Sequence, residues 1–239
     1  MNPLLFGIVT AGTLLEMDAF LFDLINQSWA HPVLDRLMPV LSSLDLWRPL
    51  LFAAVIHLLI FGGMSGRRFL LVLSVGLVIG DGLFAHTLKH AVGRLRPRDV
   101  REGAIVRSLA PGEPKWLHMM EPPVLVVCHP GKEKASHGNS FPSGHVVNLF
   151  TLATVAFAFR RFAGIFVGMA GLLMAWSRIY CGAHWPSDIP PSIVIGIVSG
   201  LASIWIIGRV LPWFFRKLDP SGGGRWPYLG IAPSDAPPQ

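Results

Sequence analysis

The chain of 239 residues carries 20 Lys and Arg against 14 Asp and Glu, which gives a formal net charge of +6. Hydrophobic residues make up 52% of the sequence and charged residues 14%, whereas typical soluble domains are about 25% charged. This balance is typical of a membrane protein, and it argues against a disordered chain and against a soluble enzyme. The length fits one domain or a tight pair of domains.

The N-terminal part of the chain predicts two helical elements. Residues 3–15 are apolar but too few to cross a bilayer alone. Extending them would draw Glu16, Asp18 and Asp23 into lipid, which is costly. A short or tilted span and an interfacial helix therefore both fit this segment. Residues 33–45 repeat apolar side chains at helical spacing, which predicts an amphipathic helix that lies in the membrane interface or packs on the surface of a bundle.

Five later stretches approach the length of about 20 apolar residues that a transmembrane helix needs. They are residues 49–65, 69–88, 143–161, 163–180 and 190–211. The sequence thus predicts an all-α, polytopic transmembrane bundle with five spans, an interfacial amphipathic helix and a sixth span left open at the N-terminus. Residues 1–218 would form this membrane domain, and residues 219–239, rich in Gly and Pro, would be a disordered tail.

Basic residues predict the orientation of the bundle, because short loops rich in Lys and Arg stay in the cytoplasm. If the five spans alternate, three basic groups fall on one side: Arg67–Arg68, Arg160–Arg161 and the group from Arg209 to Arg225. Residues 97–142 and 181–189 then lie on the opposite, outer side. The long outer segment is itself basic, which favours an anionic ligand there.

Three polar clusters lie at predicted membrane boundaries on that outer side. In the first cluster, Lys89 and Arg96 are seven residues apart, so they would share one face of a helix. Pro97 disfavours a helical conformation at the residue before it. On its own, this cluster fits equally well with basic side chains that reach from a helix end to the membrane interface.

The second cluster, residues 141–145, stands immediately before an apolar helix. Ser143 is a suitable N-cap, and Gly144 allows a close approach of the backbone. The unpaired N–H groups of a first helical turn attract anions, and His145 would sit beside such an anion. On its own, the cluster also fits a plain helix start with a bystander histidine.

The third cluster contains Arg178, His184 and Asp188. His184 and Asp188 are four residues apart, a spacing at which a helix lets a carboxylate hold an imidazole in one tautomer. Pro190 and Pro191 follow directly, so a regular helix should begin near Pro190 and a turn would then set the contact. The guanidinium of Arg178 matches phosphate geometry, and a structural His–Asp bond at a helix end is the simpler alternative.

Taken together, the clusters place three cations beside two histidines and a carboxylate, and they resemble the signature of the type 2 phosphatidic acid phosphatase (PAP2) superfamily. That signature is Lys, six residues and Arg-Pro; then Pro-Ser-Gly-His; then Ser-Arg, five residues, His, three residues and Asp. This chain has the corresponding residues at Lys89 to Arg96-Pro97, Pro142 to His145, and Ser177-Arg178 to His184 and Asp188. All signature positions match in type and spacing.

The resemblance implies a role for each signature position. His184 would attack phosphorus and form a phosphohistidine, Asp188 would orient it, and His145 would protonate the leaving oxygen and then activate water. The phosphoryl oxygens would be held by Lys89, Arg96, Ser143, Gly144 and Arg178. Cations and amides so placed stabilise the charge of a transferring phosphoryl group. Neither a metal nor another cofactor is expected.

The expected function is hydrolysis of a phosphate monoester or pyrophosphate on a membrane lipid, with undecaprenyl pyrophosphate favoured. Lipid A, phosphatidylglycerophosphate and phosphatidic acid are alternative substrates, and a lipid phosphotransferase would use the same residues. The active site would face the periplasm or the outside of a bacterial inner (plasma) membrane. Partners would be the lipid substrate and the bilayer, not nucleic acid, and the oligomeric state stays open.

Two other classes compete with this interpretation. Vanadium haloperoxidases share the signature but are soluble, and five apolar spans argue against them. A membrane lipid-binding protein with an inactive site would tolerate loss of His145, His184 or Asp188, and all three are present.

Several further residues have open roles. Cys128 and Cys181 could pair on the outer side in an oxidising compartment. Asp81 lies within a span, so it should face the bundle and have a partner. Other polar side chains could line the site or contact a head group: His86, His90, Arg98, Arg101, His129, Lys132, Lys134 and His137.

Overall fold

The computed structural model describes residues 3–112, 114–130 and 138–218. The helices are α1 (Pro3–Asp23), α2 (Pro32–Ser42), α3 (Leu44–Phe61), α4 (Gly63–Leu77), α5 (His86–Val92), α6 (Pro97–Val100), α7 (Gly144–Phe159), α8 (Arg161–Tyr180) and α9 (Ile189–Leu218). A π-helical segment Leu24–Ser28 extends α1, a second one, Val78–Ala85, joins α4 to α5, and a 3-10 turn Pro186–Asp188 leads into α9. The predicted helical class is confirmed, and the predicted tail, residues 219–239, lies outside the described residues.

The apolar helices match the predicted membrane spans. Four stretches are long and apolar enough to cross a bilayer, namely Leu44–Phe61, Gly63–Val100, Arg161–Tyr180 and Pro186–Val210, and Gly144–Phe159 is a shorter apolar helix. Large side chains on their outer faces are strongly exposed, as for Phe52 (67%), Phe61 (73%), Phe166 (71%) and Trp205 (65%). Exposed apolar surface of this extent is expected where lipid is the solvent. The chain is an integral membrane protein with a helical bundle.

The N-terminal helix α1 is longer than its apolar segment. Its 21 residues span about 31 Å at 1.5 Å per residue, and the helix continues through Glu16 and Asp18 to Asp23. The expected cost of the acidic residues is offset by ion pairs, because Asp18 pairs with Arg94 and Asp23 pairs with Arg101. These two ion pairs therefore attach the C-terminal end of α1 to the rest of the protein.

Helix α2 packs on the bundle. Met38 is 3% exposed and contacts Tyr180 and Cys181, whereas Leu37 on the opposite face is 51% exposed. Of the two predicted placements of this amphipathic helix, packing on the surface of the bundle accounts for its buried face. The predicted end at residue 45 is wrong, since Ser43 is extended and Leu44 already begins α3.

Small and hydroxylated residues fill the interior between α4, α7 and α9. Thr151, Ser199 and Ser203 are buried, and Gly196 lies so close to α7 that a Cβ there would be 2.6 Å from the Val147 carbonyl oxygen. Small residues let helix backbones approach closely inside a membrane, where apolar burial gives little driving force. The bundle is therefore built around close backbone contact.

The basic loop groups are placed somewhat differently from the prediction. Arg160 separates α7 from α8, as expected. Arg67 and Arg68 lie inside α4 and not in a loop, because the turn at Gly62 and Gly63 is short. They still occupy the first turns of α4, at the end of the bundle where Arg160 lies if the spans alternate.

A two-stranded antiparallel hairpin between α6 and α7 was not predicted. It joins β1 (Ile105–Ser108) to β2 (Val124–Val127), with Ile105 opposite Val127. Arg107 on β1 is buried and pairs with Asp35 at 2.5 Å. It also donates hydrogen bonds to the carbonyls of Asn26 (2.8 Å) and Tyr180 (3.0 Å). This arginine anchors the hairpin to α2 and α8.

The two cysteines are not disulfide-bonded. Cys128 packs in a cluster with Phe22 and Ala104, and Cys181 packs in another with Met38 and Tyr180. Burial raises the pKa of the Cys181 thiol to about 11, so this side chain is a neutral thiol at pH 7. Both cysteines act as small core residues in this structure.

The close contact at Gly196 gives a test of the packing. We expect Gly196→Ala to lower the thermal stability of the detergent-solubilised protein by about 1–3 kcal/mol, because the added methyl group overpacks the contact with α7. Gly208→Ala on the same helix is the matched control, since a Cβ there meets nothing within 4 Å. Equal melting temperatures for the two variants would contradict the packing.

Candidate active site

The predicted site residues converge at one end of the bundle, where α5 and α8 end and where α7 and α9 begin. Lys89 lies on α5, Arg96 directly before α6, Ser143 to His145 at the start of α7, Arg178 in the last turn of α8, and His184 and Asp188 between α8 and α9. Four of them are electrostatic neighbours of His145: Arg178, His184, Lys89 and Arg96. The structure thus brings the three sequence clusters into one site.

Lys89 and Arg96 reach the site by a different route from the predicted one. Helix α5 ends at Val92, and Gly93 adopts the left-handed conformation with φ of 61°. Arg96 is extended before Pro97, as expected for a residue that precedes proline. The predicted shared helix face is therefore wrong, since Gly93 terminates the helix between the two cations.

The start of α7 is held by a serine that the sequence analysis missed. The backbone N–H of Ser143 donates to the Ser192 hydroxyl at 2.9 Å, and that hydroxyl donates to the Asp188 carbonyl at 2.6 Å. Ser143 occupies the predicted N-cap position, but its side chain makes no capping hydrogen bond. Ser192 thereby joins the second and third clusters, and an isolated serine within an apolar helix gives no sequence signal for this role.

Gly144 lies where no side chain fits. A Cβ at this position would be 2.9 Å from Asp81 Oδ1 and 3.5 Å from Lys89 Nζ. Asp81 accepts a hydrogen bond of 3.4 Å from Asn148, which confirms that this intramembrane carboxylate faces the bundle and has a partner. The start of α7 therefore lies against both the Asp81 carboxylate and the Lys89 ammonium, and only a glycine fits at position 144.

His184 and Asp188 are both deeply buried, at 4% and 0% exposed. Their closest atoms, His184 Nδ1 and Asp188 Oδ2, are 3.7 Å apart, which is an ion-pair distance longer than a hydrogen bond. The 3-10 turn Pro186–Asp188 sets this contact, as Pro190 and Pro191 predict, and the helical spacing argument does not apply.

The surroundings of His184 keep its ring neutral. Burial lowers the pKa of His184 to about 4; Asp188 counteracts this shift, and Arg178 adds to it. A histidine with this pKa is unprotonated from about pH 5 upwards. Because Nδ1 faces Asp188, Nε2 is the nitrogen with a lone pair for attack on an electrophile.

A carboxylate–guanidinium pair supports Asp188 from the side opposite His184. Arg94 Nη1 donates to Asp188 Oδ1 at 2.6 Å and to the Ser187 hydroxyl at 2.8 Å, and its Nη2 pairs with Asp18. The sequence analysis assigned no role to Arg94 or Asp18. The only signal in the sequence was the position of Asp18 beside an apolar stretch, because a carboxylate there needs a cationic partner.

Three buried donor atoms of the site have no hydrogen-bond partner among the described residues. They are Arg96 Nε, Arg178 Nε and Ser143 Oγ. Buried polar groups are nearly always hydrogen-bonded, so such a cluster indicates a ligand rich in acceptor oxygens. Two guanidinium groups, a hydroxyl and a nearby ammonium suit a tetrahedral oxyanion.

The remaining candidates are distributed around the site. Arg101 pairs with Asp23 and is therefore occupied, and the exposed His129 contacts Glu102 at 2.6 Å. His86 and His90 are exposed neighbours on α5, with ring centroids 4.7 Å apart. Lys132, Lys134 and His137 lie outside the described residues. Across residues 3–112, 114–130 and 138–218, no group of three or more His, Cys, Asp or Glu side chains could hold a metal ion.

The fold and the site together define a helical membrane protein in which cationic side chains and two histidines meet at one end of the bundle. A family model described as the PAP2 superfamily matches residues 69–212, which is more than half of the chain. The chain belongs to the PAP2 superfamily.

Two relatives illustrate the similarity in sequence. The chain is 22% identical over 173 residues to the lipid A 4'-phosphatase of Bacteroides thetaiotaomicron, covering 71% of this chain and 68% of the relative. It is 34% identical over 70 residues to YbjG of Escherichia coli, a candidate undecaprenyl-diphosphatase. That match covers 28% of this chain and 35% of YbjG, so it spans about a third of that relative.

Two crystal structures are similar in fold. LpxE of Aquifex aeolicus has a TM-score of 0.57 and 25% identity, and the match covers 77% of this chain and 93% of LpxE. A PAP2-type phosphatidylglycerolphosphate phosphatase of Bacillus subtilis has a TM-score of 0.53 and 19% identity, with 93% and 96% covered. The second structure, at this identity, supports the transmembrane fold alone.

The unpartnered site atoms lead to a test that does not depend on turnover. We expect millimolar inorganic phosphate to raise the melting temperature of the purified protein, because a ligand that binds only the folded state stabilises it. Arg96→Gln and Arg178→Gln should each abolish most of this shift. Arg101→Gln is the control and should keep it, since Arg101 is paired with Asp23 away from the cradle. A shift that survives in both site variants would contradict the assignment.

Proposed function

We propose that the protein is a metal-independent phosphatase that hydrolyses a phosphate monoester or diphosphate on a membrane lipid. The observation that carries the proposal is the convergence of buried, unpartnered donor groups around His145 and His184. Membership of the PAP2 superfamily and the phosphatase names of its relatives support it. A lipid substrate agrees with a site at the end of membrane-spanning helices.

The proposed reaction has two steps. His184 Nε2 attacks phosphorus, the bond from phosphorus to the lipid oxygen breaks, and His145 gives its proton to that oxygen. In the second step, His145 takes a proton from water, the water oxygen attacks phosphorus, and the bond between phosphorus and His184 Nε2 breaks, which releases inorganic phosphate and restores neutral His184. Both steps concentrate negative charge on the phosphoryl oxygens, which Lys89, Arg96 and Arg178 would stabilise.

Asp188 would stabilise the positive charge that develops on His184 during the attack. Its carboxylate lies 3.7 Å from Nδ1 in this structure. Catalytic contacts often tighten only when substrate is bound, so a small rotation of the ring would make this contact a hydrogen bond. Ser143 and the Gly144 amide would complete the cradle at the N-terminus of α7.

Within the lipid phosphates, we propose undecaprenyl diphosphate as the substrate. A third guanidinium, that of Arg98, also has a buried Nε without a partner among the described residues, and it is an electrostatic neighbour of both Arg96 and Arg178. Lys89, Arg96 and Arg178 are assigned to the first phosphate. The second phosphate of a diphosphate would account for the additional cation, Arg98. The 34% identity to a segment of YbjG agrees with this choice.

Lipid A is the second candidate substrate, because the similarity to lipid A phosphatases extends over more of the chain. Phosphate release from purified undecaprenyl diphosphate, lipid A, phosphatidylglycerophosphate and phosphatidic acid distinguishes these substrates.

We expect phosphate release to persist with a divalent chelator, since the described site offers cationic side chains and no carboxylate cluster suited to Mg²⁺. Complete loss with chelator, restored by one added metal, would overturn the metal-independent reaction.

The two histidines provide the test of mechanism. We expect His184→Ala and His145→Ala each to reduce phosphate release by several orders of magnitude, because nucleophile and proton donor fail as a unit. Membrane insertion and the melting temperature should remain close to those of the wild type. His90→Ala serves as the control, since His90 is exposed on α5. Normal turnover in either site variant would exclude the phosphohistidine route.

We also propose that the site faces the periplasm or the outside of a bacterial inner membrane. The basic residues at the other end of the bundle would be retained in the cytoplasm. Ser108 and Ser65 are both exposed and serve as single-cysteine positions after Cys128 and Cys181 are replaced. A cysteine at position 108 should react with an impermeant maleimide in intact cells, and one at 65 only after permeabilisation. The reverse labelling pattern would place the site in the cytoplasm.

A further inference from the structure

Arg94 is held by side chains of the protein at both of its terminal nitrogens. Nη1 binds Asp188 and the Ser187 hydroxyl, and Nη2 binds Asp18. The guanidinium also lies over the Trp185 ring, 5.4 Å from its centroid. Both terminal nitrogens are thus occupied, so Arg94 is suited to hold Asp188 and not a phosphoryl oxygen.

Asp18 completes the other side of this contact. It is 5% exposed, and its carboxylate accepts hydrogen bonds from the Ser187 backbone N–H (2.8 Å) and hydroxyl (2.7 Å) besides pairing with Arg94. One turn further along α1, Phe22 is fully buried with its ring 5.3 Å from that of Trp185. The end of α1 is therefore docked against the turn that carries Asp188.

We propose that Asp18 and Arg94 are positioning residues for the nucleophile, forming a relay from α1 through Arg94 to Asp188 and His184. This inference rests on the proposed function, because it assumes that His184 attacks phosphorus. It adds a contribution from α1, a helix that lies outside residues 69–212, where the family model matches. Asp18 thus belongs to no signature motif of the site.

The geometry supplies the physical reason for two residues and not one. Arg94 holds Asp188 Oδ1, so that Oδ2 is left to face His184 and to accept the Trp185 N–H at 2.9 Å. A lone arginine would attract Asp188 strongly and weaken its influence on His184. Asp18 shares the charge of Arg94 and thereby leaves Asp188 as an effective partner for the developing imidazolium.

The charges that face His184 come from several elements. Arg178 on α8 and Arg96 before α6 are cationic neighbours of the ring, and Asp188 is its anionic neighbour. His145 on α7 is also an electrostatic neighbour of His184. Asp18 and Arg94 lie behind Asp188 and are not among these neighbours of His184. Because the two residues carry opposite charges, neutralising one or the other should shift the pKa of His184 in opposite directions.

The first measurement is steady-state kinetics of Asp18→Asn and Arg94→Gln in the full-length, detergent-solubilised protein. We expect kcat to fall on the order of ten- to a hundredfold in each variant, as is typical when an orienting contact is lost, with KM little changed. Asp23→Asn is the matched control, because Asp23 is on the same helix and pairs with Arg101 away from the site. It should keep wild-type kcat.

The second measurement is the pH dependence of kcat/KM, which reports the free enzyme's essential base. Removing the negative charge of Asp18 disfavours protonated His184, so the acid limb should move to lower pH in Asp18→Asn. Removing the positive charge of Arg94 should move it to higher pH in Arg94→Gln. Ionisation of the substrate is common to all variants and cancels. A purely structural role would lower activity without these opposite shifts.

A third variant separates charge from geometry. Arg94→Lys keeps the charge but cannot bridge two carboxylates with a fork, so kcat should fall while the acid limb stays in place. Stabilisation by inorganic phosphate serves as the check that each variant is folded with its cradle intact. If inorganic phosphate does not stabilise Asp18→Asn, the kinetic comparison is made with Arg94→Lys.

Two outcomes would overturn the inference. One is a folded Asp18→Asn or Arg94→Lys variant with the kcat of Asp23→Asn, and the other is a shift of the acid limb in the same direction for Asp18→Asn and Arg94→Gln. If either occurs while His184→Ala is inactive, the proposed function stands and only the relay fails. Normal turnover in His184→Ala would instead remove the proposed function itself.

Discussion

The arrangement of charge at one end of the bundle is the constraint on which the site depends. Lys89, Arg96 and Arg178 gather around His145, in a region where burial makes uncompensated charge expensive. The carboxylate that closely approaches His184 is Asp188, and it is itself paired with Arg94. A multiply charged oxyanion is the ligand that would balance such a set of cations.

Holding these charges in place requires a rigid frame. Ser192 links the backbone of Ser143 to that of Asp188, so the start of α7 is tied to the start of α9. Gly196 brings these two helices into backbone contact one turn further along α9. Around this frame the bundle exposes apolar side chains to lipid and keeps small and hydroxylated residues inside, which is the pattern that close helix packing in membranes requires.

Much of the candidate site could be predicted from type and spacing, although one of the local arguments was wrong. Lys89 and Arg96 were expected on one helix face, but Gly93 ends that helix, and only the folded loop brings Arg96 back to the site. His184 and Asp188 approach each other through a 3-10 turn. The first spacing therefore reflects a loop after Gly93, and the second reflects the turn that Pro190 and Pro191 predict.

The sequence by itself determined the membrane class, the apolar spans and the candidate site residues, because these follow from local composition and from residues close together along the chain. Only the tertiary structure decided which charges meet across the chain. Asp18 and Arg94 are separated by 76 residues, and Arg107 and Tyr180 by 73. A carboxylate in an apolar helix demands a cation, but which arginine supplies it depends on how the helices pack, and no local pattern encodes that choice.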